Sequence, residues 1–181
     1  MIATLKSSIG KMNDLLARLS PQSTARPQRV EPQPLRDILT SAIAGCRAGQ
    51  HIQLLGDCSR WAEADAAALE QALHHLLQNA LEASAPGEPV TVRVDDAGAE
   101  LAIVVSDKGC GMDSEFIRSR LFQPFASTKA NGFGIGAFEA RSLVTAMGGR
   151  IAVESRPGEG TDFIIHLVAA EPAPQLQRKI A

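Results

Sequence analysis

A chain of 181 residues, 45% of them hydrophobic, is long enough for one domain with a substantial core plus appendages, and too apolar for global disorder. Its formal charge of -2 supplies neither a basic field for nucleic acid nor a like-charge tail. Three cysteines, Cys46, Cys58 and Cys110, are odd in number and lack a C-x-x-C spacing, which argues against a disulfide framework and a zinc site. No apolar run approaches the ~18 residues of a membrane span, so a cytoplasmic chain without direct membrane contact is expected, compatible with a larger parent anchored in the inner membrane.

In chain order, residues 2–19 carry Ile2, Leu5, Ile9, Met12, Leu16 and Leu19 in steps of three and four, one apolar stripe close to a heptad seam. A lone amphipathic helix cannot bury such a stripe. It either folds back on its own domain or forms half of a dimeric hairpin. Residues 20–34 hold four prolines and read as a connector. Leu35–Arg47 is predicted as a helix and His51–Leu55 as a short strand. Asp65 is the expected N-cap of a long helix running to Ala83, stopped by Pro86 and Gly87. Val90–Val94 and Leu101–Val105 alternate around Asp95–Gly98, a hairpin signal. A glycine-rich irregular stretch follows from Ser106 to about Gly136. Ala137–Met147 is predicted as a helix, then Ile151–Ser155 and Asp162–Val168 as strands about the turn 157–160. The tail from Glu171 is expected to fray. The expected fold class is α+β, helices on one face of a mixed, mostly antiparallel sheet.

Four segments carry the chemistry. On the long helix, His75, Asn79 and Glu82 form a polar strip through LHHLLQNALEA. The strip also fits a solvated helix face, but a mid-helix Asn is a poor choice without a task for its amide, and its oxygen suits a magnesium ion shared with phosphates. Asp107, followed by Gly109 and Gly111, sets one carboxylate at a strand end where backbone can approach a planar ligand; the same residues also make an ordinary turn. In LFQPFASTK and NGFGIGA, alternating glycines Gly132, Gly134 and Gly136 precede a helix whose N-terminus favours phosphate, with Lys129 as a point charge. Neither a P-loop nor a dinucleotide-binding fingerprint is present. Phe122 and Phe125 are expected to pack. In GEGTDF, Thr161 offers a hydroxyl to a base, or simply enters a hairpin strand.

Together, HLLQNALEA, DKGCGM, LFQPFASTK with NGFGIGA, and GEGTDF resemble the N, G1, F, G2 and G3 boxes of the histidine-kinase ATPase domain, a superfamily shared with DNA gyrase, the heat-shock chaperone ATPases and the mismatch-repair ATPase MutL. The resemblance covers residues 35 to 169. GFGIGAFEAR and HLLQNALEA are similar to the PrsK-like kinases associated with exopolysaccharide and PEP-CTERM systems. It implies a two-layer Bergerat-type sandwich over 35–170, preceded by a dimerisation helix (1–20) and connector (21–34), with a flexible tail (171–181). It implies ATP and magnesium as cofactors. Asn79 would ligate the metal, Asp107 would accept from the adenine amino group, and Gly109 and Gly111 would shape that wall. Thr161 would sit near the base, and Lys129, Gly132, Gly134 and Gly136 would serve the phosphates. A mobile lid would run from about Asp113 to Asn131. The implied partners are a histidine-bearing dimerisation hairpin, a response regulator and a second copy of the chain joined through the N-terminal helix.

One departure concerns His75, where histidine kinases often carry Asn and gyrase-type hydrolases a glutamate base; His75 and Glu82 stay open as catalytic candidates, and efficient ATP hydrolysis is not expected. A second is that residues 2–19 hold no acceptor histidine; His51, His74, His75 and His166 all fall within 35–170. Residues 2–19 thus resemble the second hairpin helix, and a piece of a longer kinase that binds ATP without phosphorylating itself is expected. The rival readings are an anti-sigma-factor-type serine kinase and a nucleotide-gated interaction module.

Overall fold

The computed structural model describes residues 29–46, 51–126 and 134–172. The expected helix over 2–19 lies outside them. In chain order the elements are β1 (Glu31–Pro34), α1 (Leu35–Ala44), β2 (Ile52–Leu55), β3 (Trp61–Ala64), α2 (Ala66–Ala83), β4 (Val90–Ala97), β5 (Glu100–Asp107), α3 (Ser114–Ser119), α4 (Gly136–Ala146), β6 (Arg150–Arg156) and β7 (Gly160–Ala170).

The strands form one sheet in the order β1-β3-β7-β5-β4-β2, with β6 also paired to β7. All pairings are antiparallel except β2 with β4. β7 is the hub. Its first half pairs with β6 and its end with β3, while β5 runs along its other side. Helices α1, α2 and α4 cover one face, giving the two layers expected.

The core follows from the two periodicities. Every second residue of β5 (Leu101, Ile103, Val105) meets its opposite number on β7 (Leu167, Ile165, Phe163). Against this face α2 presents Leu69, Leu73, Leu76 and Leu77, joined by Leu35 and Leu39 of α1 and Val144 of α4. Each fully buried leucine contributes about 1.5–3 kcal/mol relative to exposure. Asp65 caps α2 as expected, accepting from Ala68 N at 3.0 Å, and also from Arg29 N at 3.1 Å.

The sheet's other face carries ion pairs, Arg93 beside Asp95 (2.9 Å) and Arg150 on Glu100 (2.6 Å), around the buried Ala102 and Val104. Arg150 holds the Glu100 carboxyl below its ordinary range. Among the described residues no helix is long and apolar enough to cross a membrane.

Three features depart from expectation. The end of the proline-rich connector, Glu31–Pro34, is strand β1, paired to β3. Proline is admissible there because β1 is an edge strand. β3 itself, Trp-Ala-Glu-Ala, is held by its neighbours β1 and β7 rather than by strand propensity. Within the stretch expected to be irregular, Asp113 caps the short helix α3 by accepting from Phe116 N at 2.8 Å.

Candidate functional site

The sheet and α2 bring two groups of residues to neighbouring ends of the layer. The first gathers where β5, β7 and β6 meet. Asp107 lies opposite Thr161, and Thr161 opposite Ser155, so the three form one row on the helix-facing side. Among the described residues, Asp107 and Thr161 are the two buried polar side chains, 6% and 5% exposed. Burying a carboxylate is costly without hydrogen-bond partners, and Asp107 Oδ1 accepts from Gly109 N at 2.8 Å.

Thr161 is set by a chain of hydroxyls. Ser155 Oγ donates its one proton to Gly160 O at 2.7 Å and accepts from Met112 N at 2.9 Å. The 2.9 Å bond between Ser155 and Thr161 then runs from the threonine hydroxyl, leaving Thr161 Oγ1 with acceptor capacity. Ser155 was not singled out from the sequence, where a serine in an alternating strand carries no signal.

The glycines of this wall have a reason beyond ligand approach. A Cβ on Gly109 would run into the Ala83 carbonyl at the end of α2. On Gly111, with φ +63°, it would strike the Arg156 carbonyl, and on Gly160, with φ +96°, the Asp107 carbonyl. Gly158 N donates to Cys110 O at 2.7 Å. The loop after Asp107 is thus threaded between α2 and the β6–β7 turn, backbone against backbone.

The second group lies between α2 and α4. Gly136 opens α4 against the side chain of Asn79, where an added Cβ would stand 3.5 Å from Asn79 Nδ2 and 3.6 Å from Oδ1. Ile135, at the N-cap, offers no side-chain acceptor to the helix. The positive end of an 11-residue helix therefore adjoins the Asn79 carboxamide. One turn back along α2, His75 Nε2 stands 3.0 Å from Glu139 Oε2, with both side chains about one-sixth exposed (16% and 15%). His75 is therefore not on a solvated face. Glu82 is exposed and accepts from Gln78 Nε2 at 3.0 Å. Gly134, at φ +64°, packs on the backbone of Ala126. Lys129 and Gly132 lie outside the described residues.

The start of the expected lid packs on the core through Phe116, Ile117, Leu121 and Phe122. Phe122 also carries the Arg141 guanidinium 4.9 Å from its ring centroid. Phe125, expected to pack, instead is 58% exposed, on a left-handed backbone with φ +66°.

The architecture matches known proteins. Residues 64–171 match the family described as histidine kinase-, DNA gyrase B-, and HSP90-like ATPase. The C4-dicarboxylate transport sensor protein DctB of Rhizobium meliloti (strain 1021) is 34% identical over 177 residues, 93% of this chain and 28% of that protein. The chain thus spans less than a third of that relative's length. The mycobacterial sensor histidine kinase MprB superposes with a TM-score of 0.67 at 23% identity, covering 77% of this chain and 97% of that one. Full-length ShkA in complex with AMPPNP gives 0.65 at 25% identity, covering 80% of this chain and 32% of that one. The chain belongs to the histidine kinase-, DNA gyrase B-, and HSP90-like ATPase family, and its fold is that of the ATP-binding catalytic domain of a sensor histidine kinase.

Proposed function

We propose that this domain binds Mg-ATP between its two groups of residues and donates the γ-phosphate to a histidine on a dimerisation hairpin. The observation that carries the reading is the juxtaposition of Asn79 with the N-terminus of α4, one helical turn before Ala83, whose carbonyl meets the loop that follows the buried Asp107. Asp107 accepts from the adenine amino group, beside the acceptor oxygen of Thr161, with Gly109 and Gly111 behind them. The α4 N-terminus, Gly134, Gly136 and, from the family resemblance, Lys129 and Gly132 serve the phosphates.

Magnesium fits this donor set. Among the described residues no three His, Cys, Asp or Glu gather to hold a metal ion, and Asn79 offers one neutral oxygen. Magnesium keeps several waters and takes other ligands from phosphates, so a single amide oxygen suffices. When bound, it neutralises charge on the phosphoryl group being transferred. The protein's part is then positioning, and neither His75 nor Glu82 is assigned the role of a base.

The wider assembly is part of the same reading. The catalytic unit runs from β1 to about residue 170, and residues 2–19 supply the second helix of a hairpin through which two chains pair. A response regulator takes the phosphoryl group onward, and the domain works in the cytoplasm. Two experiments test this. AMPPNP with magnesium should raise the melting temperature, since nucleotide at a hundredfold excess over Kd adds about 2.7 kcal/mol to stability. No rise at millimolar nucleotide defeats the reading. A histidine-bearing hairpin supplied in trans should then gain acid-labile phosphate from ATP. Acid-stable phosphate on a serine-bearing substrate instead would make the domain a serine kinase, and nucleotide binding without transfer to either would make it an interaction module.

A further inference from the structure

Asn79 and His75 are one turn apart on α2, and Gly136 and Glu139 are nearly one turn apart on α4. The Asn79–Gly136 contact and the His75–Glu139 contact are therefore successive rungs of one helix–helix interface. The second rung has a cost and a tension. Two ionisable side chains, each about one-sixth exposed, are taken largely out of water, an arrangement that yields little net stability but fixes register. Moreover, Glu139 lies in the first turn of α4, where its charge suits the helix dipole but opposes an anionic ligand at the same end. The imidazole nitrogen 3.0 Å from that carboxylate holds it at the second rung, one turn of α2 from the Asn79 contact.

We propose that His75 and Glu139 are a positioning pair that holds the start of α4 against Asn79 and keeps the Glu139 carboxylate against the imidazole, so that the helix end accepts phosphate. The proposal rests on the nucleotide reading given above. It assigns His75 to the protein's own acid across the interface rather than to the attacking group. It also links two residues from distant parts of the chain that serve one end of one ligand.

The test is nucleotide affinity in the full chain, measured by calorimetry with Mg-AMPPNP and, separately, with adenosine. His75→Ala leaves Glu139 without its imidazole and should weaken Mg-AMPPNP about tenfold, whereas Glu139→Gln, which removes the charge and keeps the shape, should cost less than about threefold. The distinguishing variant is the double one. H75A/E139Q should recover to within about threefold of the parent, because the opposing charge is gone. Adenosine, lacking phosphates, should bind all four proteins alike. A double variant as weak as His75→Ala alone overturns the proposal, as does an equal loss for adenosine, which marks a purely structural role. Should His75→Ala fail to fold, His75→Gln keeps most of the volume without the imidazole and is held to the same outcomes. Failure of the parent chain to bind Mg-AMPPNP defeats the nucleotide reading itself, whereas a binding parent with insensitive variants overturns the positioning pair alone.

Discussion

The two ends of the site are built by different means. The wall around Asp107 is made of main chain: Gly109, Gly111 and Gly160 let three backbone segments touch, and Ser155 ties Thr161 and Met112 together. The other end, between α2 and α4, is made of side chains meeting across two helices, Asn79 at Gly136 and His75 at Glu139. Main-chain contacts cannot be altered without moving the fold, while side-chain contacts can be exchanged with the helices still in place. Damage at the first end should therefore appear as lost stability, and damage at the second as lost affinity in a folded protein.

The largest effect expected from this contrast is on Gly111→Ala. The new Cβ meets the Arg156 carbonyl, and φ is +63°, so strain and overpacking together should lower the unfolding free energy by about 3 kcal/mol or more, read by urea titration. An unchanged midpoint would remove the main-chain argument. Next comes Asn79→Ala. Its unfolding midpoint should move little, while affinity for Mg-AMPPNP falls about a hundredfold, equivalent to about 2.7 kcal/mol, and adenosine binding stays the same. If stability fell as far as affinity, the contrast between the ends would be lost.

The cysteines give a third measure. Cys46 and Cys58 are buried, and burial pushes both thiols up, whereas Cys110 is exposed between Gly109 and Gly111. Iodoacetamide should modify Cys110 well before the other two, and bound nucleotide should slow Cys110 alone. The raised thiols also have a sign: the fold favours their neutral form. The contribution is whole below the ordinary thiol range and is lost as pH rises through the raised values, so Cys46→Ser should flatten alkaline unfolding curves.

The smallest effect belongs to Arg150→Ala on the open face. Arg150 keeps Glu100 below its ordinary range, so the pair contributes above that range and the contribution disappears as pH falls through the lowered value. Both groups are exposed, and only a slight upward shift of the acid-unfolding midpoint is expected, with nucleotide affinity untouched. Any change in affinity would show that the outer face is not independent of the site.

What could be read beforehand follows the same division. Helix α2 was legible because its apolar period is long and Asp65 stands at its start. The β4–β5 hairpin was legible from alternation, and Asp107 from its place at a strand end before glycines. β1 and β3 were not, since Glu-Pro-Gln-Pro and Trp-Ala-Glu-Ala become strands only through the partners that pair with them. Helix α3 is six residues long in a glycine-rich stretch, too short for a period to show. The expectation that Phe125 packs failed because a left-handed backbone at a non-glycine residue leaves no trace in composition. His75 stood out, but its partner Glu139 is far along the chain, and a pair across two helices has no local signature.

The threaded loop at Gly109, Gly111 and Gly160 bears on how such domains change over generations. These residues are required by neighbouring carbonyls whether or not a nucleotide is ever bound. A descendant that abandoned ATP and kept only the scaffold would be obliged to retain all three, while Asn79, which fills no such crossing, would be free to drift. The glycines are therefore a record of ancestry, and the asparagine, on the proposed reading, is a record of use.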